Sequence, residues 1–165
     1  MKNRKVYAPP GMETKRERRY YVLLLLVAML IACFFFQELE WALKALYTEY
    51  GGYRTYRQDV MMVDFYRLLN GNFLLFGVVI LYCVGTMVFR FWYYYQGSKS
   101  IYLMRRLPDR SVLIRSCVET PLKRILLSLA VMAGMLLMFY LVYWIATPDQ
   151  YLQPNQWQKL WRWMV

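Results

Sequence analysis

The sequence predicts an all-α integral membrane protein with three transmembrane helices and short amphipathic helices in the loops. Residues 20–36, 73–89 and 125–146 contain no Asp, Glu, Lys or Arg. The chain is 59% hydrophobic and yet carries a formal net charge of +11, so its charged and apolar residues are segregated along the sequence. Crossing a hydrocarbon core of roughly 30 Å takes about 20 helical residues, with a lower limit of about 17. Three spans fit this pattern better than a soluble domain does.

Helical spans are expected because every backbone polar group in lipid must be satisfied within a helix or a closed barrel. The apolar runs do not alternate with polar residues, as barrel strands would. A cleaved signal peptide is the alternative for the first run, but residues 33–38 offer no small-x-small cleavage site. We therefore expect spans at 20–36, 73–95 and 122–146.

The distribution of Lys and Arg predicts the orientation. Residues 1–19 and 90–124 together hold fifteen of these residues, whereas 37–72 and 147–165 hold six. By the positive-inside rule, the basic arm at 1–19 and the loop at 96–121 are cytoplasmic. The loop at 37–72 and the tail at 147–165 are then extracytoplasmic.

Three peripheral segments carry amphipathic or interfacial patterns. The arm at 1–19 can contact membrane lipid, either as a topology anchor or as a specific lipid site, since each basic residue near anionic lipid contributes about 1 kcal/mol. The loop at 37–72 contains two apolar stripes separated by Gly51-Gly52, which predict two short helices on the outer leaflet. The tail at 147–165 is rich in Trp, which predicts anchoring in the headgroup layer, with contact to a transported substrate as the alternative.

The residue types needed for catalysis or ion coupling are sparse. The chain has no His, its ten carboxylates form no paired motif, and its three cysteines form no CxxC pair. We therefore expect no enzymatic activity, cofactor or metal, and we expect all three cysteines to be buried small apolar residues. The apolar runs also lack the ionisable groups of ion-coupled carriers. The aromatic residues cluster at span ends, as in interfacial belts, so we expect no nucleic-acid partner.

Small residues recur at helical spacing within the spans. Such positions allow helix backbones to approach closely, and association in lipid depends on that packing. The predicted helix-packing residues are Ala28, Ala32, Gly77, Gly85, Ala130 and Gly134.

The loop at 96–121 has the pattern of an elbow. Ser98 or Ser100 is a candidate cap for a first helix, and Asp109 or Ser111 for a second, with Pro108 at the corner. Thr120 and Pro121 are expected to open the third span. Both apolar and basic side chains would face the cytosol, which suits either a groove on a protein or lipid headgroups.

The sequence from Gly97 to Arg110, with a basic stretch through Arg115 and a proline before the next span, resembles the cytoplasmic loop of ABC-2-type permeases of Gram-positive bacteria. The matching corner is Leu107-Pro108-Asp109-Arg110. The resemblance implies a coupling helix that docks on an ATP-binding subunit in the plasma membrane of a bacterium. The residues to which it assigns docking are Ile101, Met104, Arg105, Arg106, Leu107, Pro108, Asp109 and Arg110.

The resemblance covers about 30 residues and the order of the spans. ABC-2 permeases usually have six spans, so the chain looks like the N-terminal half of one, or like a small subunit. It would need at least one further transmembrane subunit or a second copy of itself. No Gly-rich loop ending in Gly-Lys-Ser/Thr is present, so ATP hydrolysis would belong to the partner. The alternative is a small structural or regulatory membrane protein of another complex, without ATP-driven coupling.

Overall fold

A computed structural model describes residues 14–50, 53–57, 60–69, 71–96, 110–152, 154–156, 158–159 and 162. Three of its segments are helical, long and apolar enough to cross a membrane: Lys15–Ala45, Leu74–Tyr93 and Cys117–Ala146. The predicted fold class, a helical membrane protein with three helices long enough to span a bilayer, is confirmed, and the described residues add one short two-stranded sheet that was not predicted.

The first span consists of two nearly continuous helices, α1 (Thr14–Ala32) and α2 (Phe34–Ala45). Cys33, between them, keeps right-handed helical angles (φ −66°, ψ −13°). Its N–H contacts the carbonyl oxygens of both Met29 and Leu30, at 3.1 and 3.2 Å, a bifurcated bond that is common where helices end. The helices therefore extend beyond both ends of the predicted span at 20–36 and include the first amphipathic stretch.

A β-hairpin follows α2, where the sequence predicted a break between two helices. Strand β1 (Tyr47–Tyr50) pairs antiparallel with β2 (Tyr53–Tyr56), and Thr48 lies opposite Thr55. Tyr and Thr favour strands, and two glycines between two such runs are a strong hairpin signal. The apolar stripes on either side have helical spacing, and they therefore favoured helices over this hairpin in the sequence.

The second amphipathic stretch is helical only at its end, in α3 (Phe65–Leu69), whereas the sequence predicted a helix over 60–69. Hydrogen bonds between the backbone of residues 62–63 and distant residues explain the difference. The N–H of Met62 donates to the carbonyl of Tyr151 at 3.3 Å, and the hydroxyl of Tyr143 donates to the carbonyl of Val63 at 3.0 Å. These long-range bonds hold residues 62–63 outside a helix.

The remaining helices are α4 (Leu74–Gln96) and α5 (Arg110–Ala146), followed by a 3₁₀ turn at Asp149–Tyr151. A turn containing Gly71, whose φ of +74° favours glycine, precedes α4. Pro121 lies inside the 37-residue α5, so the prediction that it opens the third span is wrong. Proline removes one helical hydrogen bond, but the buried ring of Pro121 is accommodated within α5.

The chain forms two compact units. Unit 1 contains residues 1–28 and 75–131, and unit 2 contains residues 29–74 and 132–165. Aromatic rings form the centre of unit 2, where Phe35 stacks on Phe139 at 4.6 Å between ring centroids. The ring of Phe65 packs edge-to-face with that of Phe35, at 5.8 Å between centroids, and is tilted against the ring of Tyr143, at 5.6 Å. Such ring pairs add about 0.5–1.5 kcal/mol each beyond the area they bury.

Most of the apolar surface of the spans faces outwards. Only 22%, 22% and 17% of the three most apolar windows are buried inside the chain. Large side chains such as Leu30, Leu81 and Ile145 are exposed. A surface of this kind has to be covered by lipid or by another membrane protein.

The cysteines only partly follow the prediction. Cys83 and Cys117 are buried, but Cys33 is exposed, so the expectation that all three are buried is wrong. Cys33 lies between α1 and α2, where the neighbouring Ala32 and Phe35 are fully buried and Cys33 itself is exposed.

Candidate functional site

The predicted docking residues lie at the edge of the described structure. Ile101, Met104, Arg105, Arg106, Leu107, Pro108 and Asp109 fall outside the described residues, and Arg110 is the first residue of α5. The structure therefore gives the two helices that border the loop, with α4 ending at Gln96.

Two ion pairs strengthen the first part of α5, one before Pro121 and one across it. The carboxylate of Glu119 lies 3.5 Å from Nε of Arg115 and 2.7 Å from Nζ of Lys123. Both pairs have the i,i+4 spacing of helix neighbours. The basic side chains are mostly exposed, so each pair contributes less than about 1 kcal/mol. Their effect is to support the helix on both sides of the proline.

A buried ionic cluster joins the three span helices inside unit 1. We define it as Glu17, Arg90 and Arg124, on α1, α4 and α5. Arg90 is completely buried, and its guanidinium donates to Oε2 of Glu17 at 2.6 Å. The guanidinium of Arg124 lies 3.7 Å from the same oxygen. Both Glu17 and Arg124 are only 12% exposed.

Polar side chains around the ionic cluster continue the network. The hydroxyl of Tyr21 lies 3.1 Å both from the carbonyl oxygen of Arg124 and from Oγ of Ser128. Ser128 also donates to the carbonyl of Arg124 at 2.9 Å. The guanidinium of Arg124 lies 5.5 Å from the centre of the Tyr21 ring, in range of a cation–π contact. The network therefore fixes α1 against α5.

Tyr82 provides the matching contact from α4, because its hydroxyl donates to the carbonyl of Glu17 at 3.4 Å. Taking a charge out of water is costly unless it is paired and hydrogen-bonded, and removing one partner of a buried pair typically costs about 3–5 kcal/mol. The ionic cluster can therefore hold the three helices in one register. We therefore assign it a structural role, that of fixing the positions of the three helices relative to one another.

A second polar group, inside unit 2, ties the C-terminal segment to the residues around Asp64. Nζ of Lys159 lies 2.7 Å from the carboxylate of Asp64, and the side-chain amide of Gln156 donates to the same carboxylate at 3.3 Å. The Gln156 carbonyl accepts the backbone N–H of Phe65 at 3.1 Å. The Trp residues on which the predicted anchoring role depends, Trp157, Trp161 and Trp163, lie outside the described residues.

The predicted helix-packing residues fall into two groups. Ala28 and Ala32 are buried within the chain, at 1% and 0% exposure. A Cβ added at Gly77, Gly85 or Gly134 would meet no described atom within 4 Å, and Ala130 is exposed. Packing at these four positions stays a prediction, and it would concern neighbours outside the chain.

No metal-binding group emerges from the described residues, where no three His, Cys, Asp or Glu side chains lie together. Comparison of the chain with protein families, curated proteins and solved structures found no match.

The sequence did not point to the ionic cluster, although it contained a signal. Glu17 is the only acidic residue in the basic segment 15–19, whose charge by itself predicts a surface anchor. Arg90 and Arg124 each border an apolar run directly. A lone acid facing two arginines at span edges is the pattern that could have predicted an interhelical ion pair.

Proposed function

We propose that this chain is a non-catalytic transmembrane subunit of a bacterial ABC-type transport complex in the plasma membrane. It docks on an ATP-binding subunit through the loop between α4 and α5, with its N-terminus in the cytoplasm and its C-terminus outside. The observation that carries the proposal is the continuity of α5, which runs without a break from Arg110, at the end of the docking corner, to Ala146.

The continuity of α5 supports a mechanical role for the loop. Seven residues of α5 precede the candidate span that begins at Cys117, a rise of roughly 10 Å. A helix resists bending far more than an irregular linker does. Movement of a bound partner at the corner would therefore pass directly into the third span.

The ionic cluster supports the same role, because it lies where α5 enters its apolar part. Arg124 on α5 and Arg90 on α4 share the carboxylate of Glu17 on α1. A displacement of α5 would therefore act on α1 through the 3.7 Å ion pair of Arg124 with Glu17 and through the hydrogen bond of the Tyr21 hydroxyl to the Arg124 carbonyl. From α1 it would reach α4 through the charge-assisted hydrogen bond between Glu17 and Arg90.

A further transmembrane subunit or a second copy of the chain would complete the pathway. The small share of each span that is buried inside the chain supports this, since three mostly exposed helices enclose little interior of their own. The small residues Gly77, Gly85 and Gly134 offer positions where another helix can approach closely.

The test is association with an ATP-binding protein. Tagged chain, solubilised from its native membranes in mild detergent, should recover an ATP-binding subunit. Replacing Arg105, Arg106 and Arg110 with Glu should reduce that recovery at least tenfold, because it reverses three charges at the corner. In the matched control, Glu replaces Arg57, Arg67 and Arg162, which are exposed and lie outside the loop between α4 and α5. This control should leave recovery unchanged.

Two results would contradict the proposal. Recovery of other membrane proteins without an ATP-binding protein would favour the structural or regulatory alternative. Equal loss in the docking variant and the control would show that total charge, and not the corner, determines association.

A further inference from the structure

Helix α1 has two faces with different surroundings. At about 100° per residue, Glu17, Tyr21 and Ala28 share one face, and all three are largely or fully buried. The opposite face is exposed and has no part in the ionic cluster. Its residues are therefore available to a ligand.

The side chains of the exposed face form a shallow, open groove of about 420 Å³, lined by α1 alone, with a basic end and an apolar end. The lining residues follow helical spacing along a single face. They are Lys15, Arg18, Arg19, Val22, Leu23 and Leu26. The change from basic to apolar occurs within one turn of the helix, at the point where the first apolar run begins.

The positive charge of the groove is not neutralised within the described part of the chain. The one acid in this segment, Glu17, directs its carboxylate to Arg90 and Arg124 on the other face. Lys15, Arg18 and Arg19 are exposed and form no ion pair with a described residue. Three adjacent cations thus lie directly above exposed apolar side chains.

We propose that this groove binds one anionic phospholipid of the surrounding bilayer. The phosphate contacts Lys15, Arg18 and Arg19, and the upper part of an acyl chain lies along Leu23 and Leu26. Arginine presents forked N–H donors that match phosphate oxygens, and lysine supplies a point charge. The helix rises roughly 10 Å from Arg19 to Leu26, enough to follow the upper acyl chain below the headgroup.

The apolar end of the groove identifies the source of the phosphate. A soluble phosphate would need only the three cations, and the exposed leucines would contribute nothing to its binding. Leu23 and Leu26 are 59% and 54% exposed, so an acyl chain can cover them. The site shares no residue with the loop at 97–109, so each function can be tested with variants that leave the other site unaltered.

Titration of the purified full chain with lipid, followed by native mass spectrometry in a nonionic detergent, tests the site. Dioleoyl phosphatidylglycerol should bind at one site at least tenfold more tightly than dioleoyl phosphatidylcholine. The variant K15Q/R18Q/R19Q should weaken phosphatidylglycerol binding by about a hundredfold, at about fivefold per basic residue. The control R57Q/R115Q/R162Q removes the same charge from other exposed positions and should bind like the unaltered chain.

A second variant, L23A/L26A, shortens the apolar end without changing charge or helix propensity much. It should weaken dioleoyl phosphatidylglycerol binding several-fold, and circular dichroism should show unchanged helical content. Equal binding of the two lipids, or equal loss in the groove variant and the charge control, would overturn the proposal. Unchanged binding by L23A/L26A would overturn it in favour of a site for soluble anions.

Discussion

Arg90 is the clearest case of a residue whose role depends on its partners. Its side chain is fully buried, although its guanidinium is charged at any physiological pH. The cost of that burial is offset by Glu17, whose carboxylate lies 2.6 Å away, with Arg124 as the second cation nearby. The ionic cluster thus makes the packing of α1, α4 and α5 specific in a way that apolar contacts alone would not.

Replacing Arg90 with Met should destabilise the chain by about 3–5 kcal/mol, because it removes the closest partner of the buried Glu17 carboxylate. The measurement is the free energy of unfolding in a mixed-micelle SDS titration. Arg115→Met is the control, since its pair with Glu119 is mostly exposed on the arginine side, and it should cost less than about 1 kcal/mol.

The double variant Glu17→Gln/Arg90→Met measures the interaction between the two charges apart from the other contacts of each residue. It should lose less stability than the two single variants added together, since neither charge is then left without its partner. Strict additivity of the two losses would show that the pair does not act as a unit.

At the scale of elements, the segment between α2 and α4 shows local pattern and tertiary context in competition. Apolar stripes on both sides of Gly51-Gly52 predicted helices, whereas the structure has strands at Tyr47–Tyr50 and Tyr53–Tyr56. Similarly, residues 62–63 are held outside α3 by bonds to Tyr143 and Tyr151, which are about 80 or more residues away in the sequence. A pattern read over ten residues contains no information on such bonds.

The register of the hairpin can be tested with an engineered disulfide. Thr48 and Thr55 are direct antiparallel partners, whose Cα atoms lie about 4.5–5.5 Å apart in such pairs. In a chain whose native cysteines are replaced by Ala, Thr48→Cys/Thr55→Cys should therefore cross-link under mild oxidation.

The matched control is Thr48→Cys/Tyr53→Cys, which is out of register and should cross-link much less. In a continuous helix, positions 48 and 55 would be two turns and about 10 Å apart, too far for a disulfide. Failure of the first pair to cross-link would therefore favour the helical interpretation over the hairpin.

At the scale of the whole molecule, the arrangement of charge and apolar surface defines a multi-pass membrane protein. Three candidate spans connect segments of very different basic content. The orientation predicted from this asymmetry would place the groove on α1 and the loop before α5 on the cytoplasmic side. Both proposed sites would then meet partners found there, the inner leaflet and an ATP-binding subunit.

Labelling of single cysteines in intact cells tests the orientation. In the same cysteine-free background, Arg162→Cys should react with a membrane-impermeant maleimide added outside, because the tail is expected to be extracytoplasmic. Lys15→Cys should react only after the cells are permeabilised. Both positions are exposed, so the difference reports the side of the membrane. The reverse labelling pattern would invert the orientation of the chain.

The sequence by itself determined the number and approximate position of the spans, since uncharged runs of this length fit lipid and no other common environment. It also contains the charge asymmetry on which the predicted orientation rests. The tertiary structure decided which charges are buried: Glu17, Arg90 and Arg124 are 34 to 107 positions apart in the chain and meet only when three helices pack. It likewise decided the short α3, because residues 62–63 bond to the distant Tyr151 and Tyr143. The hairpin and the continuity of α5 through Pro121 are also findings of the structure, at places where the local pattern was compatible with more than one conformation.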